Sequence, residues 1–206
     1  MIFLNSFLKF IFLLTPFFAL SMFLSMTQGH STLEKRHLAI RVGLAALAIC
    51  LILFFFGRWL FEALGITIDS FRIGGGALLF LSAVGLVNSN AVDKKNLGSS
   101  DPSALKNIAV VPLAIPVIVG PGTTAALLVL GAETATISAM LISTLAMAFA
   151  LFILTAMLFL SSWIEEKFGH HTIIVLSKIT GLILAAMAAQ MIFTGVRAFL
   201  VVTPAA

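Results

Sequence analysis

The chain has 206 residues, of which 61% are apolar and 10% charged, with a mean hydropathy of +1.17 and a formal charge of +4. A soluble domain carries about 25% charged and about 45–50% apolar residues, so this composition excludes a water-soluble globule. The single cysteine, Cys50, excludes an intramolecular disulfide and paired-thiolate chemistry, and the basic residues form no block of the kind that binds nucleic acid.

An integral membrane protein is what the composition leaves. The apolar runs reach the roughly 20 residues that a helix needs to cross about 30 Å of hydrocarbon, whereas barrel strands would alternate in polarity over roughly 10 residues. In chain order the expected spans are 2–26, 38–61, 66–87, 108–130, 137–163 and 173–202. The first run is too long for a signal-peptide core and no small-residue cleavage site follows it, so it is read as retained. Residues 88–107, rich in turn formers and charge, form the one linker and divide the chain into a first three-helix unit (1–87) and a second (108–206).

Lys35, Arg36, Arg41, Lys94, Lys95, Lys106, Lys167 and Lys178 lie in or beside the first, third and fifth connections, while Lys9, Arg58, Arg72 and Arg197 lie on the other side. The positive-inside rule puts the former in the cytoplasm and both termini outside it. Trp59 and Trp163 fall at the closing ends of spans, as an interfacial aromatic belt would have them.

The two halves share short strings at a shift of roughly half the chain. Arg72-Ile73-Gly74-Gly75 pairs with Lys178-Ile179-Thr180-Gly181; Trp59, Glu62 and Gly65 pair with Trp163, Glu166 and Gly169; and Pro16 falls beside Gly120-Pro121-Gly122. Each half has an odd number of spans, so a repeat of this kind is inserted in opposite orientations, as in many secondary transporters.

Within the first span Pro16 follows Thr15, and the fourth carries Pro112, Pro116, Gly120, Pro121, Gly122, Thr123 and Thr124. Proline removes a helical donor and clashes with the preceding turn, so both spans are expected to break there. Broken backbone survives at membrane depth only when buried in protein or lining a watery cavity, and paired interruptions point to a transport site. The helix restarting after Pro121 would present free N–H groups to a carboxylate, with Thr123 and Thr124 adding hydroxyls. A simple kink competes with a site at Pro16; for 120–124 the site is favoured. Ser82 and Gln190, polar and at repeat-related places, are either further solute contacts or makers of interhelical hydrogen bonds.

Other features have plainer readings. Gly74-Gly75-Gly76, and Gly181 with Ala185 and Ala189, are small faces for close helix packing. Lys9 is expected to snorkel outward, with a part in the access path as the lesser reading. Glu165, Glu166, His170 and His171 crowd the last connection, where a solvated loop is favoured over a metal site. No acidic residue lies deep in a span, which disfavours cation export. H-E-x-x-H, G-x-S-x-G and P-loop motifs are missing, so no enzyme, cofactor or metal is expected.

Ile68-Asp69-Ser70-Phe71-Arg72-Ile73-Gly74-Gly75-Gly76-Ala77, together with Val111-Pro112-Leu113-Ala114-Ile115-Pro116-Val117-Ile118-Val119-Gly120-Pro121-Gly122-Thr123, resembles the MarC family of bacterial inner-membrane proteins, also known as the neutral amino acid transporter family. The resemblance runs nearly end to end. It implies six spans and, for members with an assigned activity, movement of small neutral amino acids. The family pattern in the first half is approximately N-P-x-G-x-x-P; here Thr15-Pro16-Phe17-Phe18-Ala19-Leu20-Ser21 keeps one proline and lacks the Asn, the Gly and the second proline. Pro16, Pro112, Pro116, Gly120, Pro121 and Gly122 carry over.

The expectation is an all-α membrane protein of six helices in two inverted repeats, with helices 1 and 4 broken, moving a small-molecule solute across the bilayer by alternating access. Export is one direction for that movement. Efflux of another small solute and a non-transporting scaffold or regulator are the alternatives, and no oligomeric state follows from the sequence.

Overall fold

The computed structural model describes residues 2–88, 113–114, 117–134 and 136–201. Among these the chain is helix and connecting turn, with no strand. The helices are α1 (Ile2–Leu13), α2 (Pro16–Met26), α3 (Thr32–Leu64), α4 (Ile68–Asn88), α5 (Pro121–Glu133), α6 (Ile137–Phe159) and α7 (Ser161–Val201). Five helical stretches are long and apolar enough to cross a membrane: α1 and α2 taken together, α3, α4, α6 and α7. The linker from residue 89 on, with Pro112 and Pro116, lies outside the described residues.

The first break follows from the chemistry of Pro16. Proline has no N–H to give the preceding turn, and its ring displaces the carbonyl four residues back. The Phe12 carbonyl instead accepts from Thr15 N–H at 3.1 Å, a tightened final turn of α1, and α2 restarts with Ala19 N–H donating to the Thr15 carbonyl at 3.0 Å. Between them Thr15 adopts φ 46° and ψ 60°, the one non-glycine positive φ among the described residues. This backbone is unfavourable for a β-branched residue but tolerated by Asn, which gives a physical reason for the Asn of the family pattern. Thr15→Asn is therefore expected to stabilise the protein by about 1 kcal/mol, read as a raised midpoint of thermal unfolding in detergent.

The fourth span breaks differently. Val119 N–H donates to the Ala114 carbonyl at 2.9 Å, a wide turn spanning five residues, after which extended Gly120 (φ −78°, ψ 174°) starts α5 with Pro121 in its first turn, where the missing donor costs nothing. At 13 residues α5 is about 20 Å long and crosses only part of a bilayer.

Two ends differ from the sequence expectation. The 33 residues of α3 run about 50 Å, so the helix starts six residues before the expected span. Ser31 begins it with a capping box: its hydroxyl accepts from Glu34 N–H, and its own N–H donates to Glu34 Oε2 at 2.9 Å. The expected solvated connection around Glu165 to His171 is largely exposed and breaks at Gly169, but the residues on either side of that break are helical rather than looped. At Gly169 (φ 74°, ψ 151°), a backbone that glycine adopts readily, two helices meet across a kink, so α7 is a pair of helices joined there. His170 Nδ1 lies 3.5 Å from Glu165 Oε1, and no group of three metal-ligating side chains occurs among the described residues.

The packing orders these helices around one core. The most extensive contact is α4 along α7; α5 lies against α3 and α4, α2 against α7 and α6, and α1 against α6. Phe10, Leu13, Leu20, Phe23, Phe54, Leu79, Met147 and Leu154 are among its buried side chains. The small faces pack as their composition suggests: a side chain on Gly76 would run into Ile192 and the Ala188 carbonyl of α7, and one on Gly181 into Leu86 and Val87 of α4.

Candidate functional site

The two breaks meet. The break frees the Leu13 carbonyl from intrahelical bonding, and it accepts from the Thr123 hydroxyl in the first turn of α5 at 3.3 Å. Beside it Gly122 presses on α4 so closely that a Cβ there would lie 2.5 Å from Leu79 Cα. Thr15, Pro16, Gly122 and Thr123 are buried, Gly120 and Thr124 half-buried, and Pro121 exposed. An α-helix leaves its first N–H groups without intrahelical partners, so α2 and α5 both begin with such groups at this junction. Thr123→Ala is expected to fold but to lose about 1–3 kcal/mol, because the buried Leu13 carbonyl would lose its donor; thermal unfolding measures this directly.

Leu13 and Leu79 also line a cavity of about 250 Å³, together with Lys9, Arg72, Glu133, Gln190, Met191 and Thr194. A second cavity of about 300 Å³ adjoins it, sharing Lys9, Leu130 and Glu133 and adding Ser6, Phe10, Phe54 and Ser143. The junction of the breaks is thus the floor of the first cavity. Its polar walls come from the second half of α1, the start of α4, the end of α5 and the last third of α7.

Charge in this cavity is organised by Arg72. Its Nε and Nη2 donate to Glu133 Oε1 at 2.9 and 2.6 Å, and its Nη1 donates to Asp69 Oδ1. The Arg72 side chain is only 20% exposed, against 69% for Arg58 in its pair with Glu62, so the Arg72 network is the less screened of the two. Lys9 makes no ion pair among the described residues.

Of the residues expected at a site, Gln190 lines the cavity; Thr123 and Gly122 lie behind it, against its lining residues Leu13 and Leu79, and Thr15, Pro16, Gly120, Pro121 and Thr124 do not line it. Ser82 lines neither cavity, and its hydroxyl donates to the Leu78 carbonyl at 2.9 Å. Pro116 lies outside the described residues. Lys9, read as snorkelling outward with a part in the access path as the lesser reading, is exposed and lines both cavities. Arg72 was read as a charge of the non-cytoplasmic side and as part of a shared string, and Glu133 was given no role. The available signal was Lys9 itself, a lone cation inside an apolar run.

The comparisons with known proteins agree with this architecture. A family model described as MarC family integral membrane protein matches residues 1–200. A UPF0056 membrane protein of Methanocaldococcus jannaschii is 33% identical over 186 residues, covering 90% of this chain and 91% of its own. UPF0056 membrane proteins of Bacillus subtilis and Escherichia coli are 31% and 29% identical over 85% and 90% of this chain, covering 84% and 87% of their own lengths. No solved structure matches. With two broken spans meeting inside an apolar helical bundle, and a family match along almost its whole length, the chain belongs to the MarC family of integral membrane proteins.

Proposed function

We propose that the protein moves small neutral amino acids, or metabolites of similar size and polarity, across the cytoplasmic membrane of its cell, a bacterial inner membrane on the family resemblance, by alternating access. The observation that carries this reading is the Thr123–Leu13 contact, which joins two helix breaks under a polar cavity. Irregular backbone at such depth is tolerated where it is buried or lines a cavity, the usual setting of a transport site. The cavity, at about 250 Å³, suits a small solute and offers both charge and hydrogen-bonding groups beside an apolar side.

The inverted repeat belongs to the same reading. Its support is the shared sequence strings, and packing that comes in matched pairs: α5 on α4 and α3 corresponds to α2 on α7 and α6. Two such halves would rock against each other around the junction. The basic residues set the orientation, with Lys35, Arg36, Arg41, Lys167 and Lys178 in the cytoplasm, and the termini and the cavity facing outward.

Counterflow tests the function. Proteoliposomes preloaded with unlabelled alanine or serine should accumulate the labelled amino acid well above protein-free vesicles. Equal uptake by the two preparations would remove this reading. For orientation, a cysteine at Ser99, in the linker, should resist an impermeant maleimide in intact cells. Its labelling from outside would invert the topology.

A further inference from the structure

We infer that the Lys9–Glu133 cavity is a zwitterion site in which the Lys9 ammonium takes the solute's carboxylate and Glu133 takes its ammonium. This deepens the transport reading and rests on it for the solute's size class. The argument comes from how the charges are committed. Arg72 spends its Nε, Nη1 and Nη2 donors on Glu133 Oε1 and Asp69 Oδ1, which leaves Glu133 Oε2 without a donor among the described residues. One guanidinium against two carboxylates leaves an excess negative charge on that wall. Lys9, on α1 across the cavity, makes no ion pair among the described residues and supplies a matching positive charge. The cavity is therefore neutral as a whole but has two poles.

Lys9 and Glu133 are both exposed and both line the two adjoining cavities, so a cation without an ion pair and a carboxylate oxygen without a donor are both within reach of a charged solute that enters. A simple anion would be drawn to Lys9 but repelled by the Asp69–Glu133 wall, and a simple cation would meet the reverse. Only a solute carrying both charges a few bonds apart satisfies both poles, and the mismatch rejects the others. On α7, Gln190 and Thr194 give the solute polar neighbours, while Leu130, Val129 and Met191 leave an apolar side that suits a small aliphatic side chain.

The test is binding of labelled L-alanine to the purified protein, with propionate and protonated alaninamide as competitors that each lack one charge, and with counterflow measured in parallel. The wild type should bind alanine and be displaced poorly by either competitor. Lys9→Met should weaken alanine binding at least about tenfold, the loss of one charge-assisted contact, while Lys9→Arg keeps it. Lys9→Met should also let alaninamide compete better, and Glu133→Gln should do the same for propionate, a reversal that a purely structural role would not produce. Folded yield by size-exclusion accompanies each variant, and Lys9→Met, at an exposed side chain, is the one expected to fold normally. Wild-type alanine affinity in folded Lys9→Met, unchanged competitor preference, or no alanine binding by the wild type would each overturn the inference. Normal counterflow in the first of these cases would leave the transport reading standing, whereas Lys9-dependent binding without counterflow would uphold the zwitterion site and end the transport reading.

Discussion

Gly131→Leu is expected to remove most of the folded protein. Where α3 crosses α5 each helix contributes a glycine to the other's backbone: a Cβ on Gly131 would collide with the Phe54 carbonyl oxygen, and one on Gly57 with the Leu128 carbonyl oxygen. Overpacking a core commonly costs about 1–3 kcal/mol, and here the obstacle is backbone on both sides, which no rotamer change relieves. The helices would have to separate along a contact that also holds the buried Leu127, Leu128 and Val129. Gly74 and Gly85 provide the control, since nothing lies within 4 Å of a Cβ placed on either. Alanine at those two positions should be neutral or stabilise by up to about 1 kcal/mol, the helix-propensity difference. Folded yield and thermal unfolding in detergent compare the set, and a Gly131→Leu protein as stable as Gly74→Ala would mean that α3 and α5 do not touch in this way.

Gly122→Val is the second large effect, and geometry changes what it reports. A glycine just past Pro121 suggests close approach of a solute, yet the face where a side chain would go is already filled by Leu79 Cα at 2.5 Å and Leu79 N at 2.9 Å. Valine must push α5 away from α4 and, with it, Thr123 away from the Leu13 carbonyl. The expected result is loss of folded protein at a cost of about 1–3 kcal/mol or more, before any effect on solute binding can be read. What this turn could still offer a solute is its unpaired N–H groups. A well-folded Gly122→Val protein with wild-type thermal stability would contradict the contact between α4 and α5.

The sequence is most informative where the chemistry is local. Pro16 and the Gly120-Pro121-Gly122 string mark both breaks because a missing donor and a ring clash need no tertiary context. The small faces of α4 and α7 are legible for the same reason. The charged lining of the cavity is not, since Lys9, Arg72 and Glu133 come from three helices, and nothing local says whether a charge near a span end turns toward lipid, water or the bundle. Ser82 and Gln190 look equivalent by repeat position but separate in the fold. The serine hydroxyl is short enough to satisfy itself on the carbonyl one turn back, whereas glutamine reaches into the cavity. At the start of α7 the cluster of Glu, Lys and His marks solvent and Gly169 marks a break, but neither says that the residues flanking the break are helical, since a helix holds such residues on its exposed faces just as well.

Alternating access requires a cavity that opens to the outside and responds to its solute. In a Cys50→Ala background, a single cysteine at Thr194, which is exposed and lines that cavity, should react with an impermeant maleimide added outside intact cells. Saturating alanine should slow that reaction severalfold. Thr194→Cys that reacts only from the cytoplasmic side, or at a rate indifferent to alanine, would mean that this cavity is not an outward-facing solute site.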